Sequence, residues 1–401
     1  MTSLPEFLSR VRPPMTPALV VRREALLRNL KTMQGYCDAA GVRLRPHGKM
    51  HKCSTLGRLQ IELGGVGLCC QTIGEAEAYA AAGIADLLVT SPIAPWAAPR
   101  LAALAAREIG IAVVADDAGQ IDRLDEAARA ADVTLSVLVD LDLGTHRAGC
   151  APAAAPALAQ RITDAGNLRF EGVQAYLGHL QHVTDLKRRR AANDIAAARL
   201  RGLVETLDAA GLHPRFVTGG GTGTYAQDLA NGVFNELQAG SYAVMDIEYG
   251  DCDAPDGGGQ WPFEPALFIA ATAVSTRHKT HATIDAGLKA VSVDGPRPRV
   301  LAGAAPGSEW RAFGDEHGSI LHPAHMPVFA IPDRMEQCAA IEVIDNDDAV
   351  EWPADAPQTG DPVWLQPGHC DPTINLYDAL IVADEDGEWE SWPIDARRVT
   401  R

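Results

Sequence analysis

Positive charge is what this sequence has least of. Its 401 residues carry 35 Lys and Arg against 52 Asp and Glu, a formal net charge of −17. A phosphate polyanion requires a basic stripe, so this balance argues against a nucleic-acid partner. Long apolar runs are missing too. Met1–Arg10 has no apolar h-region, and no stretch approaches the ~18 apolar residues of a membrane span, so neither a signal peptide nor a membrane protein is expected. The eight cysteines (37, 53, 69, 70, 150, 252, 338 and 370) lack both a disulfide-scaffold spacing and a C-x-x-C pair, which predicts a reduced, cytoplasmic protein. No G-x-G-x-x-G opens a first helix, which lowers a dinucleotide-binding, doubly wound sheet. No repeat of fixed period stands out. Apolar residues, in contrast, make up 47%, enough for a large core and too many for a disordered chain.

The charge is unevenly distributed. Residues 262–401 hold 23 acids and 10 bases, whereas residues 1–261 hold 29 and 25. Six of the seven Trp (261, 310, 352, 364, 389 and 392) fall at or after the same point. Two domains are therefore predicted: residues 16–261, and residues 262–401 together with residues 1–15. In the first, eight short apolar runs alternate with Ala-rich helical stretches: 42–46, 67–70, 86–90, 111–115, 136–140, 170–175, 215–218 and 236–239. Eight βα units in ~200 residues predict a (β/α)8 TIM-like barrel. In the second, short β-branched runs at 267–276, 283–285, 328–331, 340–344 and 362–365 predict a mostly β C-terminal domain. Its acidic runs, Asp345 to Asp348 and Asp384 to Glu390, read as solvated turns.

Four segments could carry chemistry. Arg45-Pro-His-Gly-Lys-Met-His-Lys52 follows the first barrel strand, at the end where barrels place catalytic groups. Lys49 there can form a Schiff base if partly desolvated; a surface lysine beside a turn is the plainer reading. Thr218-Gly-Gly-Gly-Thr-Gly-Thr224 follows strand seven, and Gly240-Ser241 follows strand eight. Barrels often hold a phosphate on these two loops, with converging backbone N–H groups and the hydroxyls of Thr218 and Thr222 as donors. A lysine after strand one and an anion cradle after strands seven and eight suit pyridoxal 5'-phosphate, whose phenolic oxygen Arg147, after strand five, could reach. Tyr176-Leu-Gly-His-Leu-Gln-His182 ends strand six and offers Tyr176, His179 and His182 near the ring, with a histidine as a general base or as a packed core residue. Finally, His369 and Asp371 stand i, i+2 in Pro367-Gly-His-Cys-Asp-Pro-Thr373. In an extended segment both point to one face, with Cys370 turned away, and they suit Mn²⁺, Mg²⁺ or Zn²⁺. Most such pairs bind nothing. Asp315-Glu316-His317 forms another polar cluster with no assigned role.

Together these motifs resemble the fold-type III pyridoxal-phosphate family of D-threonine aldolases, D-3-hydroxyaspartate aldolases and D-serine dehydratases. The barrel half is similar to the alanine racemase N-terminal domain. The resemblance runs from about Thr16 to Asp378 and rests on RPHGKMHK, AYLGHLQH, TGGGTGTY, GSYAVMDIEYG, DAGLK, GDEHG and PGHCDPTINLYD. It implies that Lys49 is the Schiff-base lysine and His182 the catalytic base. It implies a cofactor site of Lys49, Arg147, Tyr176, Thr218, Gly220, Gly221, Thr222, Gly240, Ser241 and Tyr242, and metal ligands His369 and Asp371. The dehydratases resemble H-x-C at the metal pair and carry zinc; Asp371 in the Cys position looks like the aldolase branch, which uses Mn²⁺ or Mg²⁺. The implied enzyme is a lyase, a homodimer as the family implies, cleaving D-β-hydroxy-α-amino acids to glycine and an aldehyde. A D-3-hydroxyaspartate or D-serine dehydratase is the alternative, and a non-catalytic pyridoxal-phosphate carrier a third reading.

Overall fold

The computed structural model describes residues 2–255, 257–278, 280–324 and 353–397. The expected strands at 328–331 and 340–344, and Asp345, Asp347 and Asp348, lie outside the described residues. Contacts divide the chain into two compact units. One is Leu27–Met245 with Tyr249–Glu264 and Pro393–Arg401; the other is Met1–Leu26 with Asp246–Glu248 and Pro265–Trp392.

The first strand, β1 (Ala18–Arg22), belongs to the second unit. The first unit contains β2 (Arg43–Leu44), β3 (Leu68–Cys70), β4 (Asp86–Val89), β5 (Gly110–Ala115), β6 (Leu135–Leu141), β7 (Leu168–Ala175), β8 (Phe216–Gly219) and β9 (Glu236–Leu237). All are parallel, in the order β2-β9-β8-β7-β6-β5-β4-β3. The two ends meet: Val66 N donates to Leu44 O at 2.9 Å, Cys69 N to Pro46 O at 2.9 Å and Gly48 N to Cys69 O at 2.8 Å. The result is the expected TIM-like barrel, its strands matching the predicted runs to within two residues at each end.

Helix starts are written locally. The side chains of Thr72, Asp117 and Asp185 accept from the backbone N–H groups of Glu75, Gln120 and Arg188, satisfying donors that a helix leaves open at its first turn. Strand pleating then sorts the residues. In β6, Val137 and Val139 point outward and pack with Ile121, Leu124, Ile162 and Leu200 of the surrounding helices. Leu138 points inward and forms a small apolar layer with Cys69, Leu88 and Val114. Asp140, two residues further on, starts a polar layer toward the C-terminal strand ends.

The second unit is a nine-stranded sheet of β1, β10 (Leu267–Ser275), β11 (His281–Ile284), β12 (Arg299–Ala302), β13 (Glu309–Ala312), β14 (Gly318–Leu321), β15 (Pro362–Gln366), β16 (Ala379–Ala383) and β17 (Trp389–Pro393). Their order is β11-β14-β13-β12-β15-β10-β1-β16-β17, with β11 also pairing β10. Its core joins Phe7, Val20, Phe268 and Trp364. The acidic run at 384–390 is not simply a solvated turn. β1 lies parallel to β16, so Arg22 and Arg23 at its end reach the turn beyond. Arg22 grips Glu385 through two bonds of 2.8 and 2.9 Å, and Arg23 pairs with Asp384 and Glu390 at 2.5 Å each.

A bulge in β7 sets a sharp test of this packing. Val137 faces Phe170 while Leu138 faces Gly172, leaving Glu171 as the extra residue. Gly172 has φ +144°, and a Cβ there would overlap the Phe216 carbonyl of β8. Gly202, exposed within the helix Leu186–Ala209, has open space around it. Urea unfolding should show Gly172→Ala losing about 2–4 kcal/mol, whereas Gly202→Ala should gain up to about 1 kcal/mol.

Candidate active site

The segment after β2 is fixed on both sides before it turns. Arg45 N donates to Leu237 O and His47 N to Ala239 O, after which Met50, His51 and Lys52 N–H groups bond back to His47 O and Gly48 O in one helical turn. Lys49 sits half-buried in that turn. Its backbone N–H reaches His47 Nδ1 at 3.4 Å, and His47 Nε2 pairs with Thr90 Oγ1 at 3.0 Å. The neighbouring cation, Lys52, is committed to the buried Glu75.

Beneath this turn lies the polar inner layer of the barrel. Gln174 Nε2 donates to Asp140 Oδ1 at 2.8 Å and to Thr90 O at 2.9 Å. Gln238 Nε2 donates to Gln174 Oε1 and to Thr218 Oγ1, and Thr218 donates to Glu236. Arg45, 4% exposed, bonds Glu236 at 3.0 Å and Asp86 at 2.6 Å. Burial opposes the charge on Arg45, but the two carboxylates outweigh it and raise its pKa. Burial pushes the Asp140 carboxyl up to about 6, against the hydrogen bond from Gln174. Thr218 is thus engaged inside the barrel, one layer below the glycine loop. Gln174 and Gln238 carried no role in motif reading; Gln174 stands at an inward position of β7, where alternation would have exposed it.

The loops after β8 and β9 come together. Thr222 Oγ1 accepts from Tyr242 N at 3.0 Å. Thr222, Ser241 and Tyr242 are buried, and a Cβ on Gly240 would lie 3.3 Å from that of His47. The Tyr242 hydroxyl, with its pKa raised by burial, serves a second relay: Gln60 Nε2 reaches it at 3.3 Å while Gln60 Oε1 meets His51 Nε2 at 3.1 Å. The loop with Gly220 and Gly221 is backed by Asp228, fully buried, which accepts from Thr224 Oγ1 at 2.5 Å and Asn193 Nδ2 at 2.7 Å. Arg147 is exposed, its guanidinium 5.3 Å over the ring of Tyr176. His182 is half-buried with its ring 4.4 Å from that of Tyr249, which meets Trp261 edge-on at 6.2 Å. A half-buried lysine, a buried hydroxyl-lined backbone loop and a packed imidazole at the C-terminal strand ends fit pyridoxal phosphate. A pocket of about 150 Å³ opens at the opposite strand ends, among Arg45, Arg169, Glu171 and Arg215. There the arginines pair with Glu171, Glu236 and Asp86, and the site chemistry described above is elsewhere.

The second unit holds the His369/Asp371 pair. The expected extended segment is instead a helix start: His369 is its N-cap and Cys370–Ile374 its body, with Pro372 tolerated in the first turn. Cys370 does not turn away, since its Sγ lies 3.5 Å from Asp371 Oδ2, and its N–H donates to Asp246 Oδ2 at 2.9 Å. His369 Nδ1 lies 2.8 Å from Asp294 Oδ2 and 3.6 Å from Glu248 Oε2. Burial opposes a charge on His369, but Asp371, Asp294 and Asp246 outweigh it and raise its pKa. Burial raises that of Glu248. Asp246 and Glu248 lie within the quoted segment GSYAVMDIEYG, without a role there, and Asp294 was not singled out; all three are 75 to 123 positions from His369. Among the described residues no group of three or more His, Cys, Asp or Glu side chains is arranged to hold a metal ion. The imidazole and carboxylate pair fits a divalent cation as two protein ligands with other positions open. Lys289 pairs with Glu316 at 2.6 Å and Asp315 at 3.8 Å, an exposed ion-pair group.

Residues 21–247 match the model for the alanine racemase N-terminal domain, and residues 266–383 match a serine dehydratase domain. The chain is 39% identical to the 3-hydroxy-D-aspartate aldolase of Paracoccus denitrificans (strain Pd 1222), over 95% of this chain and 92% of that one. It is 35% identical to the D-threonine aldolase of an Arthrobacter species, over 96% and 93%. The crystal structure of D-threonine aldolase from Filomicrobium marinum superimposes with a TM-score of 0.84 at 35% identity, covering 96% of both chains.

Asp228 gives the loop a measurable pH signature. Burial pushes its carboxyl from 3.8 up to about 6, against its hydrogen bonds to Thr224 and Asn193. Between those values the folded state keeps a proton that the unfolded chain has released, so stability falls as pH rises through the window. Asp228→Asn removes this dependence. Its unfolding free energy relative to wild type should rise by about 2 kcal/mol between pH 4 and pH 7 in denaturant titrations.

Proposed function

This chain belongs to the fold-type III pyridoxal-phosphate family of D-threonine aldolases, D-3-hydroxyaspartate aldolases and D-serine dehydratases, and on that premise we propose that it is a divalent-metal-dependent aldolase splitting D-β-hydroxy-α-amino acids into glycine and an aldehyde. The observation that carries the reading is the convergence on one barrel end of the Lys49 turn, the Thr222–Tyr242 loop contact and the His182 ring. Pyridoxal phosphate, when bound, supplies an aldehyde for an amine and a ring that accepts the electron pair left at Cα.

The chain's own residues do the rest. Lys49 Nζ is the amine that would hold the cofactor. It sits half-buried in the turn beside His47. Gly220, Gly221 and Thr222, with Gly240, Ser241 and Tyr242, would take the phosphate through backbone N–H groups and hydroxyls. Thr218 supports them from the layer below. Arg147 and Tyr176, stacked on each other, would border the ring. His182 takes the proton from the substrate β-hydroxyl oxygen, and packing against Tyr249 fixes the direction of its imidazole. His369 and Asp371 would hold the divalent ion, Mn²⁺ or Mg²⁺ by preference because one ligand is a carboxylate, and the ion would supply Lewis-acid polarisation. The reading includes a homodimer in the cytoplasm. None of the seven described cysteines is in a disulfide, which accords with a reducing compartment. Among the described residues no helix is long and apolar enough to cross a membrane.

Purified protein supplied with pyridoxal phosphate should be yellow, and borohydride should fix the cofactor to Lys49, as peptide mapping will show. With D-threonine the products should be glycine and acetaldehyde; 2-oxobutanoate would identify a dehydratase instead. Lys49→Ala should abolish turnover and lose the colour, and His182→Ala should lower kcat by about 10²–10⁴-fold. His369→Ala or chelation should remove activity while leaving the yellow colour in place. Activity that survives both treatments would exclude the metal role.

A further inference from the structure

One buried side chain shapes the glycine loop and was not among the expected site residues. Gln181, 1% exposed, follows the short helical turn Gly178–Leu180 after β7. Its Oε1 accepts from Gly223 N at 2.8 Å. Its Nε2 donates to Thr224 Oγ1 at 3.0 Å and to Leu177 O at 3.2 Å. Both amide hydrogens are thus used, and the amide reaches two successive residues of the loop. The loop in turn is cut to fit it. A Cβ on Gly221 would overlap Gln181 Oε1, and one on Gly223 would overlap the Gln181 backbone carbonyl. Gly221 is therefore accounted for by the Gln181 side chain, and Gly223 by the backbone at position 181. Thr224 passes the restraint on to Asp228, so the loop is held at both sides.

We propose that Gln181 is a positioning residue for the phosphate loop, setting the direction of its backbone N–H groups and tying that loop to the neighbouring His182. The inference rests on reading residues 218–224 as the phosphate cradle. It assigns Gln181 no contact with the reacting atoms. Because it acts only through the loop, its loss should weaken binding of the phosphate group and spare binding of the aldehyde to Lys49.

The test compares pyridoxal phosphate with pyridoxal, which lacks the phosphate, titrated into apoprotein by absorbance. Wild type should prefer the phosphorylated form strongly. Gln181→Met, similar in size and without the three bonds, should lower affinity for pyridoxal phosphate by roughly tenfold or more and leave that for pyridoxal within about twofold. Thermal unfolding of each apoprotein shows whether the variant is folded. If Gln181→Met is not, Gln181→Leu, which also lacks all three bonds, gives the same comparison. An unchanged preference in a folded Gln181 variant overturns the inference. A wild type with no preference for the phosphorylated form overturns the cradle reading instead, so the two failures are distinguishable.

Discussion

A barrel interior that carries charge must match it internally, and the ion pairs of Arg45 with Glu236 and Asp86 are the match on which this one depends. Arg45 lies at an inward position beyond β2, Glu236 in β9 and Asp86 in β4, so the three tie both sides of the seam where the barrel closes. An unpaired ion there would be strongly destabilising. From Glu236 the hydrogen bonds continue through Thr218, Gln238 and Gln174 to Asp140, crossing the barrel immediately below the candidate site. A polar layer of this kind is expensive to leave half-satisfied and stiff once complete. It gives the loops above it a floor that is fixed in position and able to exchange hydrogen bonds rather than merely exclude water.

Much of the barrel was legible because parallel strands buried on both faces leave apolar runs between Ala-rich helices. Val137 and Val139 announce an outward face whichever layer lies within. The same pattern fails for β1 and for β12 to β14. Ala18–Arg22 is an apolar run with no neighbouring partner in sequence, since it pairs with β10 and β16 far along the chain. Arg299–Ala302 and Glu309–Ala312 are short and half-polar, and their identity as strands depends on β15 and β14 beside them.

The site shows the same division. Lys49, the glycine loop and His182 were visible because their chemistry is written in consecutive residues at strand ends. Gln181 was quoted within a motif without a role, because a glutamine's function is set by what lies across from it. Around His369 the extended reading failed at Asp371, where a helix begins despite Pro372. The carboxylates Asp246, Glu248 and Asp294 reach it only through folding. Local sequence names the candidate groups; their supports are tertiary.

The placement of β1 bears on how the protein is made. β1 is made before both its partners: β10, antiparallel to it, begins about 245 residues later, and β16, parallel to it, later still. Throughout synthesis of the barrel, five consecutive buried residues of β1 have no sheet to join. The barrel strands find partners as each βα unit emerges, so that unit can form while translation continues. The β unit cannot complete until its last strands arrive. Vectorial synthesis thus leaves this apolar segment without its sheet partners until they have been made.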